Sequence, residues 1–263
     1  MQPGKRGVLL LNKPPGMTSH DAVTAVKRIL EASKTGHSGT LDMNVTGVLL
    51  VCVNEAVKTM PVFIGLDKEY AGTMHLHRTV RRKELTAALS AFIGTITQLP
   101  PVRSRVSRKP RQRNVYSFML KKLSGRDAHF VVRCQSGTYV RKLVHDIGET
   151  VGGAHLAALR RTKIATFSEN ECVTLTQLEK MKWECVIPLE TVLERIHLKK
   201  VCIKDSSVGK IRNGNPVTEQ DVEQADSAVS GERIGIFNKK KLIGLGTYNG
   251  SRYVAKTDRL LRN

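Results

Sequence analysis

The stretch Gly36-His37-Ser38-Gly39-Thr40-Leu41-Asp42-Met43-Asn44-Val45-Thr46-Gly47-Val48-Leu49-Leu50-Val51-Cys52-Val53 changes character halfway along. Its second half, from Gly47 to Val53, is an unbroken apolar run, the pattern of a strand buried on both faces. Residues 35–42 are polar and read as a loop between a helix and that strand. Asp42 therefore stands where a rigid scaffold can hold a carboxylate in fixed geometry. An aspartate in such a loop is more commonly a turn former or a helix cap. The segment alone decides fold sooner than chemistry.

Working outward, residues 7–11 read as a strand, followed by the turn Lys13-Pro14-Pro15-Gly16 and a helix. Ser19 is the expected N-cap of that helix and Asp21 suits its first turn. Ala22, Val23, Val26, Ile29 and Leu30 form its apolar face. Beyond the central run, a helix starts near Asn54 and is limited by Pro61. Residues 68–77 alternate as a strand, with Tyr70, Gly72, Met74 and Leu76 on one face. Residues 82–93 read as a helix and 98–113 as a Pro- and Arg-rich loop. Strands are expected at 116–123 and 128–135, a helix at 139–151, a shorter helix at 156–161 and a strand at 162–167. This irregular alternation with hairpin signals predicts an α+β fold with a mixed, mostly antiparallel sheet. After about Leu189, short strands separated by Gly-containing turns predict a small β-rich domain. The expected division is 1–196 and 197–263.

The chain has 263 residues, 40% hydrophobic, enough for a substantial core. Lys and Arg number 43 against 23 Asp and Glu, a formal net charge of +20. Such a field favours a polyanion, since each neutralised phosphate releases counterions. A merely basic, non-binding protein is the plainer alternative. An anionic membrane is disfavoured by the lack of a long apolar span or a strongly amphipathic terminal helix. The five cysteines are scattered, odd in number and without a CxxC pair, and the eight histidines show no HExxH spacing. The expectation is reduced thiols in a cytoplasmic chain with no metal.

Three sets of residues carry candidate chemistry. Asp42 is the first. Arg141, in Gly137-Thr138-Tyr139-Val140-Arg141, is the second. A cation in the first turn of a helix opposes the helix dipole and calls for an anionic partner, although a surface arginine explains it as well. The third is the irregular basic loop containing Arg105, Arg108 and Arg111, continued by Arg160 and Arg161, which suits an RNA backbone better than a merely solvated face.

Gly36 to Asp42 with Val45-Thr46-Gly47-Val48-Leu49 resembles the catalytic motif of the TruB/dyskerin family of RNA pseudouridine synthases. Five further blocks of that family occur in its order, one before this motif and four after it: Asn12-Lys13-Pro14-Pro15-Gly16, Asp67-Lys68-Glu69-Tyr70, Gln98-Leu99-Pro100-Pro101-Val102, Gly137 to Arg141, and Gly153-Ala154-His155 through Thr162. The tail from about Lys199 is similar to a PUA domain, an RNA-binding module. Tyr70 to His77, Leu143-Val144-His145-Asp146-Ile147-Gly148 and Ile203 to Val208 resemble most the archaeal dyskerin-like subunit of box H/ACA ribonucleoproteins.

The resemblance implies Asp42 as nucleophile, Arg141 as its ion-pair partner and Tyr70 stacked on a flipped base. It also implies that His37 holds the target nucleotide out of its helix and that Lys13 belongs to the RNA-binding set. No cofactor is implied. Implied partners are a transfer or ribosomal RNA substrate, an H/ACA guide RNA and small accessory proteins of that particle. Stand-alone action on transfer RNA, or a non-catalytic RNA-binding role, are the alternatives. Two departures stand out: Met43 follows Asp42 where the family usually has proline, and residues 217–230 match a PUA domain only loosely.

Overall fold

A computed structural model of the chain describes residues 5–100, 107, 109–250 and 255–261. The chain opens with strand β1 (Gly7–Lys13), helix α1 (Ser19–Ile29), the short strand β2 (Thr35–His37) and strand β3 (Thr46–Val53). A 3₁₀ turn and α2 (Met60–Ile64) lead to β4 (Lys68–Leu76), α3 (Arg82–Ser90) and β5 (Gly94–Gln98). The long hairpin β6 (Arg111–Ser124) and β7 (Asp127–Cys134) precedes α4 (Val140–Thr150) and β8 (Ala154–Ile164). Next come β9 (Phe167–Ser168), α5 (Leu175–Met181), β10 (Ile187–Pro188) and α6 (Leu189–Arg195). The remaining elements are β11 (Lys200–Ile203), α7 (Val208–Arg212), β12 (Val222–Ala225), β13 (Arg233–Asn238), β14 (Lys241–Tyr248) and β15 (Ala255–Leu260).

Ten strands form one sheet in the order β10-β1-β3-β8-β4-β7-β6-β5, with β2 added on β3 and β9 on β8. Every pairing in it is antiparallel except β3 with β8, so the expected mixed, mostly antiparallel sheet is present. β1 and β3 are buried on both faces, as their apolar runs require. Leu9, Leu11, Leu49 and Val51 pack on α1 and α5, while Val8, Leu10, Val48 and Leu50 point to α6, Phe63 and Phe167. The other half of the sheet packs Met74, Phe118, Phe130 and Val132 against α3 and α4.

β12-β11-β13-β14-β15 make a second sheet with its own apolar cluster. It is also joined to the first: Leu198, Phe237, Leu242, Leu245 and Leu261 belong to the same buried cluster as Val8 and Leu50.

Several sequence expectations need correction. Residues 156–161 are not a helix but the middle of β8. Their Leu, Ala and Arg content favours a helix in isolation, and pairing with β4 along the strand overrides it. Residues 98–113 are not all loop, since β5 ends at Gln98 and β6 begins at Arg111. The N-cap of α1 is Thr18, whose hydroxyl accepts from the Asp21 amide in a capping box; Ser19 is buried instead. Residues 35–37 form β2. Among the described residues, no helix is long and apolar enough to cross a membrane.

Candidate active site around Asp42

The loop between β2 and β3 is held from beneath at alternate residues. Gly39 offers its carbonyl to the Arg161 guanidinium at 3.1 Å. Leu41 is tied through both backbone groups to the Ser19 hydroxyl, which accepts from its amide at 2.8 Å and donates to its carbonyl at 3.0 Å. Met43 offers its carbonyl to the Lys13 ammonium at 3.0 Å. Asp42 lies between the last two anchors, and its own carbonyl accepts from the Val45 amide in a turn. The backbone is fixed on either side while the carboxylate stays 63% exposed.

The Asp42 carboxylate meets the Arg141 guanidinium at 2.8 Å, and Arg141 is 65% exposed. Arg141 sits in the first turn of α4, where the expected anionic partner is therefore supplied within the chain. That end of α4 is fixed by Gln98 of β5, which accepts from the Tyr139 amide at 3.0 Å and donates to its carbonyl at 3.2 Å. Gly137, just before it, has φ +80°, and a side chain there would press on the Arg113 guanidinium.

Tyr70 and Arg161 are cross-strand partners on β4 and β8, beside a register shift at Glu69/Tyr70. Such a bulge re-aims the following side chain. Burial pushes the Tyr70 phenol above its ordinary value, and the neighbouring Arg161 charge opposes that rise. Tyr70 is thus a neutral, half-buried ring at neutral pH. His37 is held below its ordinary value, first by burial and then by the charges of Arg161 and His20, so its ring is neutral too. His37 Nδ1 and the Ser38 hydroxyl are buried and make no hydrogen bond among the described residues.

Three buried cations surround this loop. The Lys13 ammonium donates to the carbonyls of Pro14, Met17 and Met43. The Lys68 ammonium donates to the carbonyls of Ile64 and Leu66 and to the Ser136 hydroxyl. Each lysine has three N–H donors, so both are saturated. Arg161, 1% exposed, reaches the Val48 carbonyl at 2.7 Å besides Gly39. Burial, and secondly the Arg161 charge, lowers both lysines, Lys68 to about 8.

Lys13 and Arg161, expected in the RNA-binding set, are both buried and bonded to backbone carbonyls. Arg160 is half-buried and engaged with Glu169, Thr46 and Asn12. Arg105 and Arg108 lie outside the described residues. Arg111 begins β6 at the edge of the basic loop and donates to the Ser107 carbonyl at 3.4 Å. Ser19, Gln98 and Lys68 were not singled out by sequence reasoning as supports of the site. Only Lys68 and Gln98 left a trace there, as members of the ordered blocks.

Known proteins resemble this chain along most of its length. The family model for TruB family pseudouridylate synthase (N terminal domain) matches residues 27–140, and that for the tRNA pseudouridylate synthase B C-terminal domain matches residues 141–196. "Probable tRNA pseudouridine synthase B" of Methanopyrus kandleri is 40% identical over 92% of this chain and 75% of its own length. Its namesake in Pyrococcus abyssi is 39% identical over 91% of this chain and 76% of its own. Among solved structures, that of a Cbf5-Nop10-Gar1 complex superposes with a TM-score of 0.88 at 34% identity, covering 97% of this chain and 84% of the matched one. That of an H/ACA RNP bound to a substrate RNA containing 2'-deoxyuridine gives 0.86 at 32%, covering 98% and 85%. These likenesses span both halves of the large sheet, including the Asp42 loop and the first turn of α4, and by them the chain belongs to the TruB family of pseudouridine synthases.

Proposed function

We propose that this chain isomerises uridine to pseudouridine in RNA, as the catalytic subunit of a guide-RNA particle of the H/ACA kind. The observation that carries the reading is the backbone-anchored, solvent-open Asp42 carboxylate paired with Arg141, with Tyr70 in the same site. An isolated exposed ion pair contributes only about 0–1 kcal/mol to stability, so the fold gains little from displaying this one.

In the proposed reaction the target uridine leaves its helix and enters beside Tyr70, whose ring stacks on the base. Extrusion costs a few kcal/mol, which stacking offsets. The Asp42 carboxylate is the nucleophile, aimed by the Arg141 guanidinium. The N1–C1′ bond breaks, uracil turns and the C5–C1′ bond forms; C5 loses its proton, N1 gains one, and the bond between Asp42 and the nucleotide breaks to return the free carboxylate. Atoms and electrons balance within the nucleotide, so no redox partner or group donor enters. His37 and Ser38 bring to this place buried polar atoms without partners among the described residues, and a bound nucleotide would supply them. Residues 197–263 are proposed to act as a PUA-like RNA-gripping domain on the second sheet.

Guided action is supported by the fold likeness to proteins solved in H/ACA complexes. Stand-alone action on transfer RNA is supported by the names of the archaeal relatives. The test is to incubate the purified protein with unmodified transfer RNA alone, and in parallel with guide RNA, its target and the small accessory proteins. Pseudouridine is then mapped at single-nucleotide resolution. Product in the guided reaction that is lost in Asp42→Asn supports the proposal. Product from transfer RNA alone moves the assignment to the stand-alone form. Product that persists in Asp42→Asn overturns the catalytic role of Asp42.

A further inference from the structure

An open hollow of about 770 Å³ lies at the junction of the two sheets, bordered by the start of β1, the β10 region and the β13–β14 turn. None of its lining residues belongs to the Asp42 site. Lys13 and Gly7 stand at opposite ends of β1, about 20 Å apart at the rise of an extended strand. The hollow, at Lys5 and Arg6, is at the far end.

Its composition is unusual for this chain. The only tryptophan, Trp183, forms part of the wall, and Lys5, Arg6, Lys239, Lys240 and Lys241 surround it. The floor is built from internal bonds. Arg6 pairs with Glu190 at 2.6 Å and donates to the Leu242 carbonyl at 3.4 Å, while Glu190 also accepts from the Leu242 amide. This ties β1 and α6 to β14 and fixes the shape of the hollow. The rim is different. Lys5 lies over the indole at 5.8 Å, and neither Lys240 nor Lys241 has an ion-pair partner among the described residues. Lys239, at the hairpin tip with φ +54°, is paired with Asp205 at 2.9 Å and so is not one of the free cations of the rim.

We infer that this hollow binds a single-stranded segment of RNA, one base stacking on Trp183 and the adjoining phosphates held by Lys240, Lys241 and Lys5. An aromatic face with flanking cations is the arrangement that takes single strands without reading sequence. The inference rests on the reading that this chain acts on RNA. It adds a contact at the end of β1 opposite Lys13, about 20 Å along the strand from that residue.

The test uses the full chain and an eight-nucleotide oligoadenylate, which has no uridine to isomerise. With a single tryptophan, fluorescence excited at the red edge of the band, where the five tyrosines do not absorb, reports on Trp183 in this hollow. Saturable quenching that weakens with salt is expected. The exposed double variant Lys240→Glu/Lys241→Glu should bind at least about tenfold more weakly. It should also flatten the log–log salt slope by about 1.4, each single-strand phosphate contact contributing about 0.7. Trp183→Leu, followed by anisotropy of labelled oligonucleotide, should lose about tenfold. Binding by anisotropy without quenching, an unchanged affinity and slope in the double variant, or equal quenching by polyglutamate would each overturn the inference. If transfer RNA or guided substrate is still converted while the oligonucleotide leaves Trp183 unquenched, this inference falls and the proposed reaction stands.

Discussion

Asp42 and Arg141 face each other in the open, whereas Lys13, Lys68 and Arg161, around the same loop, are shut away from water. The exposed pair is electrostatically inexpensive, because solvent screens both charges and either can be removed without stranding the other in a low dielectric. The buried trio is the reverse. Each cation has given up its hydration and is kept in place by carbonyl oxygens, so removing one leaves those carbonyls unpaired. One set of charges is arranged to act and the other to hold the first in position. Stability and activity should therefore separate along this line.

The largest effect is expected from Asp42→Asn, which should reduce turnover by at least about 1,000-fold while changing unfolding free energy by no more than about 1 kcal/mol. Loss of stability in step with activity would break the division. Arg141→Ala should follow, with kcat down by about 100-fold and melting temperature nearly unchanged. Arg141→Lys should recover only part of that activity, since an ammonium lacks the planar fork of a guanidinium.

Arg161→Met tests the other side. The buried Val48 carbonyl loses its donor, at about 1–3 kcal/mol, and the part-buried Gly39 carbonyl loses one too. Urea unfolding should show a drop of that order, with activity falling because the loop is loosened. A variant as stable as the parent would sink the account of Arg161 as a structural cation.

The smallest effect concerns pH. Burial pushes Lys68 down to about 8 in the folded chain from an ordinary 10.5. Between those values the unfolded chain binds more protons, so stability rises with pH across that window. In Lys68→Met that rise should be reduced relative to the parent when urea midpoints at pH 8 and pH 10 are compared. Equal rises would show that Lys68 is not the group responsible.

The legible and illegible parts of this chain divide for physical reasons. β1, β3 and β4 were readable because apolar runs and alternation report burial directly. Asp42, Tyr70 and Arg141 stood out as members of ordered blocks, and the structure brings Asp42 and Arg141 into contact across 99 residues. Lys13 and Arg161 show the limit. Sequence displays a charge but not its solvent exposure, and the burial of both could not be read from it. β8 failed similarly: its helix-favouring residues carry no sign of the two strands that flank it. Ser19 was seen as a cap because it adjoins the helix start, while its actual task depends on Leu41, 22 residues away.

The anchors of the Asp42 loop grip main-chain atoms, and this relocates where substitutions are tolerated. Lys13 holds the carbonyl of Met43, an atom that every amino acid carries, while the Met43 side chain is 53% exposed. A saturation-mutagenesis map should therefore show a permissive column at position 43, next to an intolerant one at 42. The matching intolerance would appear 30 residues upstream, at Lys13. The proline usual at this place in the family is then one way among many of occupying a position whose geometry is enforced from elsewhere in the chain.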